Sequence, residues 1–172
     1  FLGDFPAFEV PVYHLESPLE LINYVVLGFL AGLTAILFIK VLYFSEDFFD
    51  KLSMPDYVKG GIGGAAIGII GLSFPQIFGV GYDTMDSALQ SGLIWKIALV
   101  LVFVKVISTS VSLGSGGSGG IFAPSLFLGA MLGAFFGGAI NELFPEWTAE
   151  PGAYALVAMG GVVGAATHGP IA

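Results

Sequence analysis

Apolar positions in this chain come in long runs, broken by short polar or glycine-rich stretches. The opening 1–17 is the exception: Asp4, Pro6, Glu9, Pro11 and Glu16 interrupt it, and it reads as a loop. Pro18 then fits the first turn of a helix, with Ser17 as its cap. Leu21 to Val41 follows as about 20 apolar residues, the length of a helix that crosses a bilayer core. Lys40, at the end of that run, can extend its ammonium to the interface. Beyond it Phe44, Phe48 and Phe49 interleave with Glu46, Asp47, Asp50 and Lys51. The helix, over 18–52 in all, is therefore predicted to project past the membrane as an amphipathic extension. Further apolar segments run over 56–74, 82–90, 93–113, 121–142 and 153–166. The segment 56–74 is glycine-rich and a second candidate span. The segment 82–90 is part polar and too short to cross, 93–113 and 121–142 are full spans, and 153–166 is shorter than one. Pro75 to Gly81 reads as a turn and Asn141 to Pro151 as an acidic loop. Uneven lengths and one half-helix argue against a simple up-and-down bundle. The expected fold is an all-α integral membrane protein, a multi-helix bundle with short and broken helices, in which 1–172 forms part of a single transmembrane domain. The chain opens on Phe1 and stops just after Gly169-Pro170-Ile171, which reads as an internal piece of a longer protein.

The most informative stretch is the break Gly114-Ser115-Gly116-Gly117-Ser118-Gly119-Gly120-Ile121-Phe122-Ala123-Pro124, set between two membrane-length runs. Irregular backbone is costly in hydrocarbon, which offers its N–H groups no partner. It is tolerated where it is buried in protein or lines a polar cavity. Pro124 suits the first turn of a following helix, since its missing N–H costs nothing there. The pattern predicts a loop that opens a helix near Ile121. The first N–H groups of that helix would point back into the break and carry about half an elementary charge from the helix dipole. Such a start is an anion site made of backbone.

Composition narrows the classes. The chain has 172 residues, 56% of them hydrophobic, with a mean hydropathy of +0.92. Its charged fraction is 10%, against roughly 25% in soluble domains. That combination belongs to membrane proteins. There is no arginine, and five lysines face thirteen carboxylates for a formal charge of −8, so nucleic-acid binding, which wants a basic face, is not expected. The absence of cysteine excludes disulfides and thiolate metal sites. No Ser/His/Asp or metal-ligand spacing surrounds His14 or His168, so no catalytic residue, metal or cofactor is predicted. Lys51 and Lys59 sit in the Ser45 to Lys59 connection, whereas Asn141 to Pro151 holds no base. By the positive-inside rule the first connection faces the cytoplasm and the second the opposite side.

Small residues recur at helical spacing in Gly28/Gly32, Gly60/Gly64/Gly68, Gly129/Gly133/Gly137 and Gly160/Gly164, a pattern that lets membrane helices approach closely. Lys105, inside an apolar run, is a functional candidate by default; the simpler reading is a structural one, by snorkelling or by pairing with a carboxylate. Tyr82 and Asp83 read as loop-packing residues. The spacing Gly114-x-Gly116-x-x-Gly119, with Glu142 further on, matches the dinucleotide fingerprint. That fingerprint needs a short preceding strand, and Leu93 to Leu113 is far too long for one. A phosphate-binding loop of the Walker type fails because no Gly-Lys-Ser/Thr follows. Two function classes stay open on residues alone: anion transport, or a membrane-embedded enzyme or scaffold that uses the glycine break for packing.

The residues Gly120-Ile121-Phe122-Ala123-Pro124 resemble the G-x-F-x-P signature of the CLC family of chloride channels and chloride/proton antiporters. The resemblance extends to Gly79-Val80-Gly81-Tyr82-Asp83, to Ser118 through Gly133, to Glu142-Leu143-Phe144-Pro145, and to Ala158-Met159-Gly160 through Pro170-Ile171. It covers nearly the whole chain, as much of the second inverted half of that fold. It implies transport of chloride or a similar anion, held by the backbone amides of Ile121 and Phe122 with Gly119, Gly120, Ala123 and Pro124 as the supporting loop. It further implies chloride as substrate with no cofactor, a lipid bilayer, the remainder of the chain's own transmembrane domain, and a homodimer in the full-length protein. The family's G-S-G-I-P motif, its gating-glutamate motif G-[KR]-E-G-P and a late pore tyrosine are not in these residues, so channel and exchanger are not distinguished.

Overall fold

The computed structural model describes residue 13, residues 20–145 and residues 148–167. Apart from Tyr13, the expected opening loop, the Ser17–Pro18 helix start, His14 and His168 lie outside them. The chain is helical: α1 Glu20–Asp50, α2 Asp56–Ser73, a 3₁₀ turn at Pro75–Ile77, α3 Tyr82–Leu89, α4 Trp95–Gly114, α5 Phe122–Leu143 and α6 Pro151–Ala166. No strand occurs among the described residues, which removes the βαβ unit that a dinucleotide site needs.

At about 1.5 Å per residue, the 31 residues of α1 reach beyond a hydrocarbon core of ~30 Å. The amphipathic extension is thus continuous with the span. Lys40, at the end of the apolar run, lies within this helix on an exposed face. Three described helices, α1, α4 and α5, are long and apolar enough to cross a membrane, and α6 is a shorter apolar helix. The candidate span 56–74 is not among them: its first turn carries Asp56 and Lys59, which pair at 3.5 Å, and its remainder is rich in glycine.

The core is centred on α5. Its glycine stripe meets α6 backbone to backbone: an added Cβ would stand 2.4 Å from Met159 Cα at Gly129, 2.2 Å from the Tyr154 carbonyl at Gly133, and 2.8 Å from Pro151 Cα at Gly137. As α5 advances the contacts on α6 recede, so the pair is antiparallel. In α1, Asn23 donates to the Tyr154 hydroxyl at 3.3 Å and the Tyr24 and Tyr154 rings lie 5.1 Å apart. Ala31 lies against Gly161, so α1 and α6 run parallel. The other small-residue stripes do not behave as expected. Gly28, Gly32, Gly64, Gly68 and Gly160 have nothing within 4 Å of an added Cβ, and α2 approaches Ser115 through Gly60 and Gly63. Among the described residues, the α5 stripe is the one that meets a neighbouring helix's backbone along its whole length, because α5 and α6 are two apolar helices that share that length.

Two contacts fix the ends of α4. Gly114 touches Ser45 of α1 closely enough that a Cβ would stand 2.5 Å from its Oγ. At the other end Trp95 Nε1 donates to Glu142 Oε2 at 2.7 Å, which ties the start of α4 to the end of α5. A second tie secures α6. Ser91, with φ +57°, accepts the Gly152 N–H on its Oγ at 3.0 Å, and the Tyr13 hydroxyl donates to the Leu89 carbonyl beside it. Burial, and then the nearby Glu150 carboxylate, raise the Tyr13 pKa, so this hydroxyl keeps its proton.

Candidate functional site

The glycine-rich break divides into two parts with different physical jobs. The first part ends α4. Gly116 sits at φ +95°, its N–H donates to the Leu113 carbonyl at 3.0 Å, and the Gly117 N–H donates to the Ser112 carbonyl at 2.8 Å. This is the Schellman pattern, in which two bonds satisfy the last carbonyls of a helix through a left-handed residue. The second part, Ser118 to Gly120, carries no such duty. An added Cβ at Gly119 would meet only Leu113 Cδ2 at 3.3 Å, and one at Gly120 would meet nothing. These two glycines leave room.

That room is a cavity of about 470 Å³. The loop side is formed by Ser118, Gly119, Gly120, Ala123 and Pro124. Facing them is α4 through Lys105, Ser108, Thr109 and Ser112. Apolar closure comes from Ile67 of α2 and from Ile77, Phe78 and Val80 around the 3₁₀ turn.

The helix opens where the sequence placed it. Ile121 is the N-cap with φ −88° and ψ −15°, already in helical conformation, and α5 proper starts at Phe122. Pro124 is in the first turn, so its lack of an N–H leaves no bond unmade. The first amides of a helix have no partner within it, the N-cap side chain makes no capping bond, and among the described residues no acceptor reaches the Ile121, Phe122 or Ala123 amides. The peptide that carries the Phe122 N–H is held from its other side. The Ile121 carbonyl accepts both the Ser125 N–H at 3.0 Å and the Ser125 Oγ–H at 2.7 Å. Ser125 is fully buried. Ser125 is therefore a positioning residue of the helix start that the sequence reading did not single out.

Ile121 is half-buried against the core, while Phe122 is 59% exposed. The exposed ring has no cover among the described residues, so it does not by itself dry the helix start.

Lys105 does not snorkel, and no carboxylate among the described residues pairs with it. It is 3% exposed, and its Nζ donates to the carbonyls of Ile77 at 2.9 Å and Gly79 at 3.0 Å, with the Phe127 ring centroid 4.7 Å away. Lys105, Ser108, Thr109 and Ser112 fall at i, i+3, i+4 and i+7, a polar stripe on one face of α4, with Lys96 and Ser110 off it. That spacing was available in the sequence and marks the wall of the cavity. Glu142, the acid of the dinucleotide pattern, lies at the opposite end of α4 from the loop. No group of three or more His, Asp or Glu side chains suited to a metal occurs among the described residues.

A family model described as "Voltage gated chloride channel" matches residues 1–172. The chain is 30% identical over 171 residues to the putative chloride channel protein ClcB-like of Ralstonia nicotianae, covering 99% of this chain and 40% of that protein. It is 40% identical over 174 residues to chloride channel protein CLC-f of Arabidopsis thaliana, covering 92% of this chain and 22% of the relative. It is 32% identical over 173 residues to the H(+)/Cl(-) exchange transporter ClcA of Vibrio campbellii, covering 98% and 37%. The chain spans two fifths or less of the length of these relatives.

Proposed function

The chain belongs to the voltage-gated chloride channel family and is an integral membrane protein, and from that premise we propose that it carries chloride or a similar small anion across the membrane as part of a longer transmembrane domain. The bound anion is held by the backbone amides of Ile121 and Phe122. The observation that carries this reading is the start of α5: unpaired amides, oriented through the Ile121 carbonyl, beside a cavity left open by Gly119 and Gly120.

The chemistry suits transport. An anion in passage must be bound well enough to enter and loosely enough to leave. Backbone N–H groups offer oriented partial charges that do not titrate. A bare lysine at the same point would offer a full charge in low dielectric and hold the ion longer. Here two of the ammonium's three donors are taken by carbonyls, which temper its charge. Chloride is the substrate and no cofactor takes part.

The faces of α1 and α2 that meet no described residue are covered by lipid and by the remainder of the domain, and the full-length protein is a homodimer. One bank of amides is not a whole pathway, so the reading also requires polar groups from elsewhere in that domain.

The test is chloride efflux from liposomes containing the full-length protein. Phe122→Ala leaves the donors in place and is expected to keep substantial flux. Gly120→Val fills the open side of the loop and is expected to abolish most of it. Comparable loss in both variants, or none in Gly120→Val, would contradict the backbone site.

A further inference from the structure

The cavity beside the start of α5, lined there by Gly119, Gly120, Ala123 and Pro124 rather than by Ile121 and Phe122, has a polar wall on α4 that the backbone site does not use. Lys105 carries three N–H donors. Two are bound by the Ile77 and Gly79 carbonyls, and the Phe127 ring covers one side of the ammonium. The third has no acceptor among the described residues, and the side chain lines the cavity. One helical turn along α4 stands Thr109, and a turn further on stands Ser112; both are on the cavity wall, and their hydroxyls make no hydrogen bond among the described residues. Ser108, between Lys105 and Thr109 on the same face, spends its proton on the Val104 carbonyl at 2.7 Å.

We infer that Lys105, with the hydroxyl of Thr109 one turn along, forms a second subsite for a small monovalent anion on the α4 side of the cavity. The arrangement has the features such a stop requires. The ammonium supplies net positive charge, and a buried charge-assisted bond is stronger than one in water. The two bound carbonyls offset part of that charge, so the ion is retained briefly rather than trapped. The Thr109 hydroxyl can rotate its proton toward the ion and add a second donor. Phe127 and Ile77 are both fully or nearly fully buried and hold the lysine in this rotamer.

This subsite rests on the reading that anions enter the cavity, and one experiment separates the two. Crystals of the full-length protein are soaked in bromide and the anomalous map is calculated for the native protein, for Lys105→Met and for Lys105→Arg. The native map is expected to show one peak at the Ile121 and Phe122 amides and another within hydrogen-bonding distance of Lys105 Nζ. Lys105→Met is expected to lose the second peak and to weaken bromide affinity there about tenfold or more, the loss of one charge-assisted bond. Lys105→Arg, with donors to spare, is expected to keep it. A native map with only the α5 peak overturns the subsite and leaves the proposed function standing. A map with only the Lys105 peak supports the subsite and overturns the backbone site. A map with neither overturns both. The native map decides even if Lys105→Met does not fold.

Discussion

Replacing Gly133 by alanine tests whether α5 and α6 are held by backbone contact. An added Cβ would stand 2.2 Å from the Tyr154 carbonyl oxygen and 2.4 Å from Ala155 Cα. Both are main-chain atoms of a helix, so no rotamer change relieves the clash. Ordinary contact begins near 3.4 Å, so the helices must part by roughly 1 Å along the centre of the core, and overpacking of this kind costs about 1–3 kcal/mol. Alanine returns up to ~1 kcal/mol through its better helix propensity, which leaves a net loss. Gly71→Ala is the control. Its Cβ would come still closer, 2.0 Å, but to the tip of the Phe78 ring, which is half exposed and free to swing. That change is expected to cost less than ~1 kcal/mol after the same propensity gain. The assay is unfolding of each variant in detergent, followed by tryptophan fluorescence. Gly133→Ala should unfold clearly earlier than the native protein, with Gly71→Ala close to native. If Gly71→Ala were as damaging as Gly133→Ala, the distinction between rigid backbone and yielding side chain would be wrong.

Other outcomes follow from the same contacts. Ser125→Ala removes the hydroxyl bond that braces the Ile121 carbonyl but keeps the amide bond. Chloride affinity, read by isothermal titration of the full-length protein, should fall roughly two- to fivefold, matching ~0.5–1 kcal/mol for one buried hydrogen bond; unchanged affinity would remove Ser125 from the site. The Gly114–Ser45 and Trp95–Glu142 contacts put the α1–α2 and α5–α6 connections at opposite ends of α4. Single cysteines at Asp50 and Glu150 in a background without cysteine should therefore label from opposite faces of the membrane, with Asp50 on the cytoplasmic side; labelling of both from one side would contradict the topology. The 172-residue chain by itself, with one bank of amides, is expected to give no anion-selective flux in liposomes, and robust selective flux would contradict the need for further walls.

The helices were legible because membrane helices announce themselves by length and apolarity. The break between α4 and α5 was legible because glycine and Pro124 leave few alternatives for backbone in that setting. Three features were not. The glycine stripes look alike in sequence, yet only that of α5 meets a neighbouring backbone along its length, because spacing specifies a smooth face and not what covers it. The α4 wall was missed for a different reason: Lys105 was weighed alone, whereas its partners are carbonyls of the Ile77–Gly79 turn, distant in sequence and invisible to side-chain patterns. Ser125 was hidden for the same reason, since its acceptor is main chain.

The central claim is that backbone at the start of α5 binds the anion. Bromide-soaked crystals of the full-length protein test it without any substitution. The account predicts an anomalous peak about 3–3.5 Å from the Ile121 and Phe122 nitrogens, the reach of N–H donors to a halide somewhat larger than oxygen. Bromide ordered elsewhere in the protein, with no peak at the helix start, would contradict it.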